Sequence, residues 1–260
     1  MSESEYTPEQ NREAEIERRR AHSQLRAEYI VRDYARTHPD GQFAKAFAAG
    51  IFSAEESYAL LNEFARDPKT GVLRSDYMGQ VLEYETNYSR EHENETLTLA
   101  MIDIDNFKQL NTDLGYQSAD DILKSVASTI TRQIRRSDES TDVPEVERST
   151  GKEVLATDDV IRFGGEEFIV MFSSTTQEQA TIALERIRLS IEEQFAGRTP
   201  EQGHVTVSIG VTEYDATKKE EWRKTLDRAN AALQEAKQSG KNKIIALDKQ
   251  AAPSELPKVA

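Results

Sequence analysis

Cysteine is absent from the 260-residue chain, so disulfides, thiolate metal sites and cysteine nucleophiles are all excluded. Histidine is scarce: His22, His38, His92 and His204 are scattered and share no metal-ligand spacing. Positive charge is the minority sign, with 33 Lys and Arg against 47 Asp and Glu, a net −14. That balance argues against a bulk nucleic-acid binder or a protein lying on anionic lipid, while leaving room for a local basic pocket that holds phosphates. No apolar run approaches the roughly 20 residues of a membrane helix. The acidic start MSESEYTPEQNREAE is unlike a signal peptide. A soluble, cytoplasmic protein without nucleic-acid or membrane partners is expected.

What is present divides the chain in two. Residues 1–66 are rich in Glu, Arg, Ala and Gln and hold no alternating apolar run. Pro8 to about Arg36 reads as one long charged helix with a thin apolar stripe through Leu25, Tyr29, Ile30 and Val31. His38-Pro39-Asp40-Gly41 breaks it. A second short helix is expected to hold Phe43, Phe47 and Ile51. A third is expected from Ser53, with Glu56 completing a capping box and Tyr58, Leu61 and Ala65 at helical spacing. The region reads as a small helical regulatory or dimerisation module.

From Asp67 strands and helices alternate. Leu97–Ile104 is an apolar run of strand length, and Ala119–Ile134 has helical spacing. Val160–Phe163 and Phe168–Phe172 flank Gly164-Gly165-Glu166-Glu167, which reads as a hairpin turn using positive φ at the glycines. Thr176–Phe195 is helical, Val205–Val211 a strand, Glu220–Gln238 a helix and Lys243–Leu247 a strand. The expected fold class is α+β, an antiparallel-rich sheet flanked by helices, over residues 67–248. Residues 137–157 read as a polar insertion loop, and residues 249–260 as a disordered tail.

Carboxylates supply the chemistry. Asp103 and Asp105 end an apolar strand on one face, where burial is costly unless something compensates the charge; a divalent cation would do so. A hairpin beside that strand would bring Glu166 or Glu167 close to Asp103. Oxygen-only donors favour Mg²⁺ or Mn²⁺ over zinc. Strand ends and hairpin tips are also acidic merely because they are exposed.

The run Arg162-Phe163-Gly164-Gly165-Glu166-Glu167-Phe168 resembles the signature of the GGDEF-domain diguanylate cyclases, in its GGEEF form. Four further pieces follow that family's order. They are Asp67-Pro68-Lys69-Thr70-Gly71, Asp103-Ile104-Asp105-Asn106-Phe107-Lys108 through Asn111, Ser208-Ile209-Gly210-Val211, and the closing stretch from Ala229 to Asn242. Arg74 and Ser75, Tyr116, Asn230 and Gln234 depart from the family's usual residues.

The resemblance implies condensation of two GTP into cyclic di-GMP and two pyrophosphates at the interface of two protomers, with two Mg²⁺ or Mn²⁺ ions per site. Asp103, the Ile104 carbonyl and Glu166 would be the metal ligands. Glu166, Glu167 and Lys108 would be catalytic. Phe107, Lys108, Gly164 and Gly165 would contact the nucleotide, with Asn111 and Asp120 reading guanine; Asp120 is equally a helix N-cap residue by type. Lys237 and Lys241, one helical turn apart, would grip phosphates. The product-binding R-x-x-D of the family would place its Asp at Asp158, but Leu155 stands at its Arg position. An Arg135-Arg136-Ser137-Asp138 lies earlier, so Arg135 and Asp138 form a possible inhibitory site only if the insertion loops out. A GTP- or cyclic-di-GMP-binding signalling module that does not turn over substrate is the alternative reading.

Overall fold

The computed structural model describes residues 8–53, 56–57, 60, 65–92, 95–138, 159–197, 204–218 and 220–250. Two compact units emerge, one from residues 1–63 and 135–157, the other from residues 64–134 and 158–260.

In the first unit, α1 (Pro8–Thr37) and α2 (Gln42–Ala48) flank the expected break. Tyr34 stacks on His38 at 4.3 Å and meets Phe43 edge-on at 5.6 Å, which fixes the turn between the helices. Ala27, Ile30 and Val31 are buried, but Leu25, expected in the stripe, is 53% exposed. Ile51 lies outside α2 and is also exposed, because Gly50 at φ 67 ends the helix and Ile51 N–H turns back to the Ala46 carbonyl. The Ser53–Glu56 capping box is formed: Ser53 N–H donates to Glu56 Oε2 at 2.9 Å, and Glu56 N–H to Ser53 Oγ at 3.1 Å. Tyr58 and Leu61 fall outside the described residues, and Ala65 sits in a turn rather than a helix.

The second unit is organised by β2 (Leu97–Ile104), buried at every position. A run apolar on both faces belongs at the centre of a sheet covered on both sides. It pairs antiparallel with β4 (Glu167–Ser173) and β5 (Val207–Glu213), and β4 pairs antiparallel with β3 (Asp159–Arg162). The edges are parallel: β1 (Leu73–Arg74) on β3 and β6 (Ile244–Ala246) on β5. The strand order is β1-β3-β4-β2-β5-β6, the antiparallel-rich sheet expected from the sequence.

Side chains alternate across the sheet. Ala100, Ile102, Ile104, Phe168, Val170 and Ile209 face α4 (Phe107–Asp138) and α5 (Gln177–Gln194), whose Leu123, Val126, Ile130, Leu184, Ile187 and Ile191 complete one core. The opposite face, which carries Met101 and Asp103, is covered by α3 (Met78–Glu91) and α6 (Trp222–Gln238). There the approach is closest at Gly210. A Cβ at that position would lie 2.1 Å from the Ala229 carbonyl oxygen and 2.2 Å from Leu233 N, so only glycine lets α6 sit so near β5.

Two helices differ from expectation. α3 was not read from the sequence at all. α4 begins at Phe107 rather than Ala119, broken at Gly115, whose φ of 78° and ψ of 160° are not helical. Arg135 and Asp138 lie on its last turns, where only the backbone is described; Leu155, Asp158, most of the 137–157 insertion and residues 251–260 fall outside the described residues. No helix among the described residues is long and apolar enough to cross a membrane.

Candidate active site

The end of β2 delivers Asp103 into the sheet with its side chain toward α6. It stands opposite Glu167 of β4 and Ser208 of β5 and is 6% exposed. Lys237, in the last turn of α6, places Nζ 2.7 Å from Asp103 Oδ2. Burial raises the Asp103 pKa to about 6; the lysine opposes the shift, and the nearby Glu166 and Glu167 carboxylates add to it.

The hairpin lies beside the strand as expected. Ile104 N–H donates to the Glu166 carbonyl at 3.4 Å, and Phe163 N–H donates to the Glu167 carbonyl at 2.9 Å. The reason for the glycines differs from expectation, since neither Gly164 nor Gly165 has positive φ. A Cβ on Gly164 would fall 2.6 Å from Glu167 Oε2, so Gly164 makes room for that carboxylate. A Cβ on Gly165 would meet nothing within 4 Å, leaving its backbone open to a ligand.

Asp105 needs no cation to compensate its burial. Thr206 Oγ1 and Ser208 Oγ donate to its two oxygens, each at 2.7 Å, and Asn242 N–H reaches it at 3.1 Å. The carboxylate ties β2, β5 and the loop after α6 together, so its burial is compensated within the protein. That loop runs through Gly240, Lys241 and Asn242, all at positive φ. Lys241 therefore lies beyond the helix rather than one helical turn past Lys237, and its Nζ donates to Asn106 Oδ1 at 2.5 Å.

Asn106, also left-handed at φ 58, turns the chain into α4. The first N–H groups of a helix lack intrahelical acceptors, which leaves those of Phe107 and Lys108 directed outward. The Phe107 ring itself is buried in the core, so only its backbone is free to meet a ligand; the Lys108 side chain is exposed. Asn111 follows on the same helical piece. Asp120 lies beyond the Gly115 break and is no cap: Lys69 Nζ holds its two oxygens at 2.9 and 2.8 Å.

Arg162 is the residue whose importance sequence reasoning missed. It lies on β3, just before the hairpin. Its Nη1 donates to both Asp67 oxygens at 3.0 and 3.1 Å, its Nε to the Gly164 carbonyl at 3.2 Å and its Nη2 to the Gly165 carbonyl at 2.8 Å. Asp67 in turn accepts from Thr70 N–H at 2.8 Å and Thr70 Oγ1 at 2.7 Å, closing the Asp67–Gly71 turn. Burial alone would raise the Asp67 pKa, but these hydrogen bonds and the guanidinium outweigh it and hold it below the ordinary value. Opposite charges within two motifs were the available signal; only the fold pairs them.

Among the described residues no three acidic side chains are gathered into a ready-made metal cage. Asp103, the Ile104 carbonyl and Glu166 still fit a magnesium-type ion. Such an ion takes one or two carboxylates and completes its shell with water and nucleotide phosphate.

The profile of the family described as "Diguanylate cyclase, GGDEF domain" matches residues 64–141 and 145–243. The chain is 36% identical over 161 residues to diguanylate cyclase A of Treponema denticola, covering 62% of this chain and 38% of that protein. It is 30% identical over 181 residues to diguanylate cyclase DgcP of Pseudomonas aeruginosa, covering 68% of this chain and 23% of that protein. It thus spans well under half the length of these curated relatives. Among solved structures, diguanylate cyclase SiaD from P. aeruginosa, determined with its activator SiaC, superposes with a TM-score of 0.61 at 29% identity, over 83% of this chain and 74% of that one. The GGDEF domain of DgcB from Caulobacter crescentus, in complex with c-di-GMP, gives 0.56 at 27% identity, over 70% and 95%. A profile match across five of the six strands and the helices that cover them, joined to similarity with named cyclases, places this chain in the GGDEF-domain diguanylate cyclase family.

Proposed function

We propose that the protein condenses two GTP molecules into cyclic di-GMP, releasing two pyrophosphates. The observation that carries this is the meeting, at one sheet end, of a buried acid (Asp103), two hairpin acids (Glu166 and Glu167) and a lysine (Lys237) already aimed at that acid. Family membership supports it.

Members of this family generally depend on a divalent metal. Asp103, the Ile104 carbonyl and Glu166 would hold the ion, which when bound offsets charge on the transferring phosphate. The chain's own residues do the remainder. The Phe107 and Lys108 N–H groups at the start of α4, with the Lys108 ammonium, receive phosphate oxygens. The open backbone at Gly165 admits the nucleotide beside the hairpin. Lys237 exchanges Asp103 for phosphate when nucleotide arrives, and Lys241 adds a second cation from its loop. Asn111 and Asp120 read the base; a carboxylate accepts from the guanine N1–H and N2–H₂ together, a donor pair that adenine lacks.

Glu166 accepts the proton of the attacking 3′-hydroxyl, and Glu167, directly across from Asp103, holds the site's orientation. In the product each nucleotide has been both nucleophile and electrophile. Two identical sites facing each other across a twofold axis satisfy that symmetry, so a homodimer is the working unit. The N-terminal helices 1–66 would control that encounter, in response to a signal or partner their sequence does not name. Residues 67–248 are the catalytic domain.

The test is incubation with GTP and Mg²⁺ followed by chromatography for the cyclic dinucleotide. Asp103→Ala and Glu166→Ala should each abolish product while circular dichroism stays native. Product at the wild-type rate from either folded variant refutes the assignment.

A further inference from the structure

We propose that Lys69 competes with guanine for Asp120 and so sets how tightly, and how selectively, the site takes its nucleotide. The inference rests on the base-reading role of Asp120 given above. Its basis is geometric. Lys69 Nζ lies 2.9 Å from one Asp120 oxygen and 2.8 Å from the other, centred on the fork of the carboxylate. That fork is where the paired N1–H and N2–H₂ donors of a guanine edge would dock. Ammonium and base cannot occupy it together.

The two partners are held differently. The backbone at Lys69 is fixed: Asp67 Oδ1 accepts its N–H at 3.2 Å, Gly71 N–H closes the turn on the Asp67 carbonyl at 2.8 Å, and Arg162 anchors Asp67 from the other side. Asp120 is fixed by α4. Only the four-carbon lysine stem is free to move, and the Lys69 side chain is 50% exposed against 31% for Asp120. A long, half-exposed ammonium can leave for water at small cost, so it tunes the site rather than blocks it.

The direction of the effect follows. Guanine must displace the lysine before it gains its two hydrogen bonds. Adenine presents a lone pair at N1, does not contend for the carboxylate, and is better received by an ammonium than by a bare Asp120. Removing the lysine should therefore favour guanine and not adenine. Its charge would also help any triphosphate nearby, but that contribution is the same for both bases and cancels in a ratio.

The experiment measures dissociation constants, with Mg²⁺, for the α,β-methylene analogues of GTP and ATP, which bind but cannot lose pyrophosphate. Wild type, Lys69→Met, Asp120→Asn and the double variant are compared, each checked for folding by thermal unfolding. In Lys69→Met the preference for the guanine analogue should rise about 1.5- to 5-fold, the range of a half-exposed ion pair. In the Asp120→Asn background the same lysine substitution should leave the preference unchanged. A preference that stays level or falls in Lys69→Met, or an equal rise without Asp120, overturns the competition. If Asp120→Asn lowers guanine preference while Lys69→Met does not raise it, base reading stands and only the competition is lost. If Asp120→Asn leaves guanine preference intact, base reading itself is wrong and the competition falls with it.

Discussion

Replacing Arg162 with alanine would remove four hydrogen bonds at once, two to Asp67 and one each to the Gly164 and Gly165 carbonyls. Both charged side chains are mostly shielded from water, at 17% and 16% exposure, so the loss is well above that of a surface pair. Breaking a buried pair costs 3–5 kcal/mol and a charged hydrogen bond about 1.5–3; with residual solvent access about 3 kcal/mol is expected for Arg162→Ala. For a domain of this size that lowers Tm by about 6–12 °C. The effect on turnover should be larger than the effect on stability explains, because the arginine holds the two hairpin carbonyls that position Glu166. A displacement near 1 Å at such a site costs on the order of 100-fold. Arg162→Lys separates the two roles. One ammonium can keep Asp67 but cannot also reach both carbonyls, so this variant should retain most of the stability and still lose about 10- to 100-fold in turnover. Differential scanning fluorimetry and initial-rate assays on both variants supply the data. An unchanged Tm for Arg162→Ala, or wild-type turnover in Arg162→Lys, would refute the reasoning. The pair also has a pH signature. The Asp67 pKa is depressed in the folded state, so its contribution is complete above the ordinary carboxylate value and is lost as pH falls through the depressed one. The Arg162→Ala deficit should therefore shrink below about pH 4.

Asp103 has the opposite sign: its folded pKa is raised to about 6, so ionising it without metal costs stability as pH rises through that value. In chelator, Asp103→Asn should be more stable than wild type to urea at pH 8, and the advantage should shrink as pH falls, nearly vanishing only below about pH 4; equal midpoints at pH 8 would contradict this. Gly210→Ala should cost at least about 3 kcal/mol or prevent folding, since the new Cβ would overlap helix backbone and overpacking without room to relax is at the severe end of core changes; a denaturation midpoint like wild type would show that α6 can retreat freely. Asp105→Ala leaves Thr206, Ser208 and the Asn242 N–H without their acceptor, and about 2–4 kcal/mol should be lost in urea unfolding whether or not Mg²⁺ is present. A deficit seen only with metal would make Asp105 a ligand after all.

The elements that could be read from sequence were those whose burial is simple. β2 is mostly apolar, buried throughout and central; the Phe168–Phe172 run is apolar and pairs with it. α3 escaped because its buried positions include Glu85, Thr86 and Ser89, polar residues that imitate a surface, and Glu85 accepts from Ser173 Oγ at 2.9 Å inside the protein. The true start of α4 was hidden by Gly115, which reads as a terminator although the helix resumes after it. At the site the acids were visible as residue types, but their neutralising partners were not. Arg162 lies 95 residues from Asp67 and Lys69 lies 51 from Asp120, and no local pattern couples such pairs. Asp105 shows the same limit from the other side: two aspartates two positions apart look equivalent, yet one ends on a lysine and the other inside a net of hydroxyls.

That net also governs when disorder is removed from the phosphate side of the site. Asn106, Lys241 and Asn242 all occupy left-handed backbone, a conformation costing each non-glycine residue of order 1 kcal/mol and kept only where surroundings over-determine it. Asp105 binds Asn242, Arg188 donates to Asn242 Oδ1 at 2.7 Å, and Lys241 reaches back to Asn106, so the three strained residues brace one another. Their conformational entropy is surrendered during folding, in the absence of any nucleotide. If Lys241 takes the phosphate as proposed, an arriving triphosphate would meet a cation whose backbone is already set and need only capture its side-chain tip, so binding would be opposed by the freedom of one lysine stem rather than by that of a whole loop.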